Sequence, residues 1–198
     1  MSTSSRKKAI ELWQTDIPEG DKEKIAKTLF CFENPPGTAY ISGSQDALGI
    51  TMPGLNRFYY DKGYWPVQIE QILEADILSW IEKHIWLIPL YPRRSEYNVL
   101  ANTNITEEGA KKLAEAAEEC WTACKHKDTH AAGAAMKRSF EAQVNMFPHM
   151  LSEDIAKQIE SYKDKALGWK ISGAGGGGYL ILFAEEPIKN AIQIKIRR

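Results

Sequence analysis

Between residues 172 and 178 the chain reads Ser172-Gly173-Ala174-Gly175-Gly176-Gly177-Gly178, five glycines in seven positions. Such a segment brings almost no side chain to a core, and ordering it costs more backbone entropy than ordering ordinary sequence. It lies between two apolar runs, Ala166-Leu167-Gly168-Trp169-Lys170-Ile171 and Tyr179-Leu180-Ile181-Leu182-Phe183-Ala184. Both runs are short, rich in aromatic and branched residues and stopped by turn formers, which predicts two strands joined by the glycine segment. Two readings of that loop stay open on its residues alone. It is a flexible hairpin tip, or it presses bare N–H groups against an anion, of which phosphate is the common one.

The rest of the composition narrows the setting. The 198 residues are 43% hydrophobic and 26% charged, a globular profile with enough chain for a real core. Lysine and arginine total 25 against 26 acidic residues, so no global field favours nucleic acid or an anionic membrane. Three cysteines make no disulfide framework and suit a reducing cytoplasm. No secretory signal and no membrane span are expected, because no apolar run is long enough.

Along the chain, residues 5–31 are predicted as helix, turn, helix, with Pro18-Glu19-Gly20-Asp21 as the break. Leu55-Asn56-Arg57-Phe58-Tyr59-Tyr60 and Tyr64-Trp65-Pro66-Val67-Gln68-Ile69 are predicted strands around a three-residue Asp61-Lys62-Gly63 turn. A helix from Ala75 to Lys83 then leads to the strand Ile85–Tyr91, where Pro89 favours an edge or a bulge. Thr106 to Lys127 has helical periodicity, which predicts Ala110, Leu113, Ala114, Ala117, Cys120, Trp121 and Cys124 as its buried stripe. Both cysteines thereby become small core residues. His126, Asp128 and His130 lie in a predicted inter-helix turn without further ligands, which argues against a metal. Helices follow at 131–144 and from Ser152, and Ala191–Ile196 closes the chain as a strand. The sum is an α+β plan of two layers.

Asp46, in Gly43-Ser44-Gln45-Asp46, stands at the start of a short apolar segment. A carboxylate there satisfies free N–H groups as a helix N-cap, or it faces a phosphoryl acceptor hydroxyl and takes its proton. Pro92-Arg93-Arg94-Ser95 at a predicted strand end offers guanidinium forks for a sugar or phosphate, or for a surface ion pair.

Trp169-Lys170-Ile171-Ser172-Gly173-Ala174-Gly175-Gly176-Gly177-Gly178-Tyr179 resembles the C-terminal glycine motif of the GHMP kinase superfamily, most of all its fucose-kinase and heptose-7-phosphate-kinase branch. The resemblance implies a ferredoxin-like C-terminal domain over residues 51–198, preceded by a helical remnant of the N-terminal kinase domain over residues 1–50. It implies ATP-dependent phosphorylation of a monosaccharide or sugar phosphate. Ser172, Gly173, Ala174, Gly175, Gly176, Gly177 and Gly178 would then lie by the nucleotide. Gly43-Ser44-Gln45-Asp46 is similar to the branch's catalytic segment, which makes Asp46 the catalytic carboxylate and Gly43 and Gln45 substrate contacts. Arg94 joins them from the Arg element after the equivalent strand. Ala47 replaces the glutamine that follows the family's aspartate, a change expected to alter acceptor contacts more than basicity. Mg2+ is implied with ATP, without assignable ligands. The family's Gly-Leu-Gly-Ser-Ser phosphate loop has no counterpart beyond Thr3-Ser4-Ser5. The expectation is a poor kinase when alone, with an N-terminal kinase half as a conceivable partner, or else a non-catalytic ligand-binding or regulatory domain.

Overall fold

The computed structural model describes residues 3–14, 16–93, 97, 98 and 100–198. The chain forms two compact units. One comprises residues 1–74 and 196–198, the other residues 75–195. Residues 51–74 therefore group with the N-terminal helices.

In the first unit, α1 (Thr3–Trp13), α2 (Lys22–Glu33) and α3 (Gln45–Thr51) precede the hairpin of β1 (Leu55–Tyr59) and β2 (Gln68–Ile72). Asp21 begins α2 by accepting the N–H groups of Glu23 and Lys24. The bond from Lys24 holds its carboxyl below the usual carboxylate range. Ala9, Leu29, Ala47 and Ile50 make the small core, with Leu12, Trp13, Ile17 and Phe30 packed against it. The last residues return here, because the N–H of Gly54 donates to the Arg197 carbonyl (2.7 Å) and Arg197 donates to the Met52 carbonyl (3.0 Å).

The hairpin departs from the expected three-residue turn. β2 begins at Gln68 rather than Tyr64, and Lys62, not Gly63, takes positive φ. Trp65 is the cause. Its ring meets Phe30 edge-on at 5.8 Å and its indole N–H donates to Glu23 on α2. Pro66 then offers no N–H to a ladder, so pairing resumes only where the Val67 N–H meets the Tyr59 carbonyl.

In the second unit, α4 (Ala75–His84) runs directly into β3 (Ile85–Pro89). An antiparallel helix pair follows, α5 (Glu107–His126) and α6 (Thr129–Met146), then a single 3-10 turn, α7 (Glu153–Glu160), β4 (Gly168–Ile171), β5 (Tyr179–Phe183) and β6 (Ile192–Gln193). Thr106, Asp128 and Ser152 cap α5, α6 and α7 by accepting the N–H groups of Gly109, Ala131 and Ile155. The strands form one antiparallel sheet in the order β4-β5-β3-β6, so the unit is α+β, with helices packed on an antiparallel sheet.

Strand alternation places Ile88, Ile171, Leu180 and Leu182 in the main core with Phe140, Ile155 and Ile159. A second cluster gathers Ala123, Ala132 and Phe183 around Trp80, Ile85 and Met136. Pro89 sits inside the sheet without harm. Antiparallel pairing turns the N–H of Leu90 to β5, so the donor that Pro89 lacks would face β6, whose pairing stops at Leu87 and Trp86.

Two expectations are corrected. α5 buries Ala116, Ala123 and Cys124, while Ala110, Ala114 and Ala117 of the expected stripe face solvent. A methyl group loses little by exposure, so α5 turns the face that fits α6. The closing strand shrinks to Ile192–Gln193, because Gln193 donates to the Glu82 carbonyl and Lys195 pairs with the buried Glu82 carboxylate at 3.2 Å.

Candidate functional site

Antiparallel pairing of β3 with β5 brings the end of β3 beside the glycine loop. The Leu90 N–H donates to the Gly178 carbonyl (2.8 Å), and the Gly178 N–H donates to the Tyr91 carbonyl (3.0 Å). The Ser172 N–H closes the loop's base on the Tyr179 carbonyl (2.9 Å). Gly173, Gly175, Gly176, Gly177 and Gly178 all have positive φ, at 73°, 78°, 67°, 136° and 90°. This loop is shaped by its surroundings.

Three glycines are also pressed from outside. A Cβ on Gly175 would come within 2.8 Å of the Met150 backbone, one on Gly176 within 2.4 Å of the Tyr97 ring, and one on Gly177 within 2.5 Å of the Tyr91 carbonyl oxygen. The Tyr97 hydroxyl donates to the Ala174 carbonyl at 2.8 Å and reaches the His149 carbonyl at 3.2 Å. Burial pushes that phenol above its ordinary pKa, against the pull of the Arg93 guanidinium. Arg93 Nε donates to the Gly175 carbonyl at 2.9 Å, and its guanidinium lies 5.5 Å from the Tyr97 ring centroid. Among the described residues, the N–H groups of Gly173, Ala174, Gly175, Gly176 and Gly177 meet no acceptor within the chain. The arrangement ties loop carbonyls to the scaffold and leaves a row of donors, which is what a backbone phosphate site requires.

Lys170, on β4 just before the loop, donates to Ser139 Oγ (3.0 Å) and Gln143 Oε1 (2.8 Å) on α6. Burial pushes its ammonium down to about 8. The neighbouring thiol of Cys120 is lowered, first by the hydrogen bond from Cys124 and also by Lys170, whereas Cys124 is raised as the donor in that bond. The two cysteines serve the core beside a buried amine. His126 Nδ1 is bonded to the Thr122 carbonyl and His130 pairs with Glu185 at 3.6 Å, so each has a local partner.

The Gly43-Ser44-Gln45-Asp46 segment lies in the first unit. Ser44 occupies the position before α3, and Asp46 stands in that helix's first turn, half-buried. The Ser44 hydroxyl is fully buried and shares a hydrogen bond with the Tyr60 hydroxyl (3.0 Å) instead of capping the helix. Gly43 and Gln45 are exposed. Arg94 lies outside the described residues. The loop residues 172–178 thus form one cluster, in the second unit, and Gly43, Gln45 and Asp46 form another, in the first.

The residues that hold the loop, Tyr91, Arg93, Tyr97 and Met150, were not singled out as such from the sequence. The one signal was the pair of arginines directly after an apolar run. Which of the two would turn to the loop depends on how β3 is registered against β5.

No protein-family model matches the chain. A bifunctional fucokinase/GDP-fucose pyrophosphorylase from Arabidopsis thaliana is 24% identical over 186 residues, covering 87% of this chain and 17% of that protein. Among solved structures, a mevalonate kinase superposes with a TM-score of 0.60 at 18% identity, over 89% of this chain and 53% of its own. A D-glycero-D-manno-heptose 1-phosphate kinase from Bacteroides thetaiotaomicron gives 0.54 at 14% identity, over 89% and 48%. The chain therefore spans about half the length of these solved structures. They are kinases of the GHMP group, and the fold of this chain is theirs.

Proposed function

We propose that this chain takes part in ATP-dependent phosphorylation of a monosaccharide or sugar phosphate. One observation carries the reading. In a fold shared with GHMP kinases, the glycine loop is tied down through its carbonyls while the N–H groups of residues 173–177 make no hydrogen bond among the described residues. Glycine is required at 176 and 177 because side chains there would collide with the Tyr97 ring and the Tyr91 carbonyl. When bound, ATP with Mg2+ would supply the phosphoryl group. No residue is assigned to the metal, which at such sites takes few protein ligands and several from phosphate and water.

Within the chain, the loop N–H groups would hold phosphate oxygens and neutralise their charge by oriented dipoles. Asp46 would orient the acceptor hydroxyl and accept its proton, with Gly43 and Gln45 beside the sugar and Arg94 as a further contact. The names of two similar proteins, a fucokinase and a heptose 1-phosphate kinase, favour a sugar acceptor over mevalonate.

The second reading is a ligand-binding or regulatory domain, or one part of a kinase completed by another chain. The chain spans about half the length of the solved kinases whose fold it shares. Turnover separates these readings. ATP protection against thermal unfolding that disappears in Gly175→Val is expected for both. Turnover with a sugar panel, abolished by Asp46→Asn, is expected only for the kinase. Turnover that requires a separately encoded N-terminal chain identifies the split form. Absence of any ATP effect would reject the nucleotide-site reading.

A further inference from the structure

We infer that Arg93 and Tyr97 are positioning residues that decide which side of the glycine loop receives phosphate. The inference rests on the phosphate-site reading above and adds a direction to it. A trans peptide unit carries its C=O and its N–H on opposite edges, and the described chain has no cis peptide bond. The Ala174 carbonyl accepts from the Tyr97 hydroxyl, so the Gly175 N–H, in the same peptide unit, points away from Tyr97. The Gly175 carbonyl accepts from Arg93 Nε, so the Gly176 N–H points away from Arg93.

The two clamps lie together, with the guanidinium over the phenol ring. Two successive N–H groups are therefore turned to the opposite side as a pair. Gly175 and Gly176 both have φ near +70°, at 78° and 67°, and consecutive amides in such turn conformations form anion-binding concavities. On the clamp side there is no room for a ligand, because the Tyr97 ring already fills the space beside Gly176. Without the clamps, either peptide unit could rotate and present a carbonyl oxygen, a repulsive partner for phosphate. The ligand chemistry is a phosphate chain or phosphate monoester, whether from a nucleotide or from a sugar phosphate.

The test follows the backbone amides of Gly175 and Gly176 by NMR in the full 15N-labelled chain, titrated with ATP and, separately, with mannose 1-phosphate. Wild type should show shifts of both amides with at least one of them, and the responding ligand identifies the phosphate source. Tyr97→Phe keeps the ring over Gly176 and removes only the hydroxyl bond. Arg93→Gln removes the charge, and Arg93→Lys restores it without the planar fork. Each of the first two should weaken the responding ligand about fivefold, the scale of one orienting hydrogen bond. The Gly175 and Gly176 shifts should shrink in these variants, with partial recovery in Arg93→Lys. Wild-type affinity and wild-type shifts in both variants would overturn the clamp while leaving the phosphate site intact. No shift in wild type with either ligand would overturn the phosphate site, and the clamp with it. Should Tyr97→Phe fail to fold, the two Arg93 variants decide alone.

Discussion

Gly168 on β4 lies backbone to backbone against Gly133 on α6: a Cβ on Gly168 would come within 2.3 Å of the Gly133 carbonyl oxygen. Gly133 is pressed in turn by the residue before Gly168, since a Cβ on Gly133 would fall 2.5 Å from Leu167 Cβ. This approach lets α6 lie close against the strand that leads into the glycine loop, and it lets Ser139 and Gln143 reach Lys170.

Gly168→Ala and Gly133→Ala should each destabilise the chain by about 1–3 kcal/mol, the ordinary cost of forcing a methyl into a filled contact. Chemical denaturation of the purified variants measures it. An unchanged midpoint would mean that helix and strand separate without loss.

Glycine substitutions within the loop should divide by position. Gly173 has open space for a Cβ, so alanine there carries only the strain of a left-handed residue, about 1 kcal/mol. Gly176→Ala adds a collision with the Tyr97 ring and should abolish ATP protection in a thermal shift assay, whereas Gly173→Ala should retain most of it. Equal loss in both would show that the tyrosine contact is irrelevant to binding.

Asp46→Asn should leave ATP protection unchanged and lower sugar-dependent turnover about 10²–10⁴-fold, the range for removing a general base. A nearly isosteric amide keeps the first turn of α3 intact, so a change in melting temperature would point to a structural carboxylate.

Lys170 makes stability depend on pH in an unusual direction. Burial holds its ammonium near 8 in the folded chain, against an ordinary 10.5. Between these values the unfolded chain binds the proton more tightly, so raising the pH through that window favours the folded state. Below about 8 both states are protonated and the cost of burying charge is fully present. Above 10.5 both are neutral and the cost is gone. Relative to Lys170→Met, which cannot titrate, wild type should therefore gain stability from pH 8 to pH 10.5. Comparing the two in a Cys120→Ser background removes the neighbouring thiol's titration. A constant difference across that range would show that the amine is solvated after all.

The bond between the buried Ser44 hydroxyl and Tyr60 ties the start of α3 to the end of β1. Tyr60→Phe would leave the Ser44 hydroxyl without that partner, at a cost of about 1–2 kcal/mol. The double variant with Ser44→Ala should recover part of the loss in the same denaturation experiment.

Much of the chain was legible before folding because the signals act over a few residues. Thr106, Asp128 and Ser152 cap helices by bonds to amides three positions on, and the runs beside the glycine loop have the composition of strands. The segment with Asp46 was visible as a motif, yet its neighbour's role was not. Ser44 turns to Tyr60, sixteen residues away, and no local pattern encodes that choice.

By itself, the sequence determined where most helices and the strands beside the glycine loop form, that residues 172–178 carry no core side chains, and which carboxylate and glycines stand as candidates for a site. Tertiary structure decided which face α5 buries, where β2 begins once Trp65 has packed on α2, and that Arg93 and Tyr97 hold the loop by its carbonyls. The division is physical. Periodicity and capping are settled by neighbours along the chain. The choice between nearly equivalent faces, registers and peptide orientations is settled by small energy differences that exist only after distant segments meet.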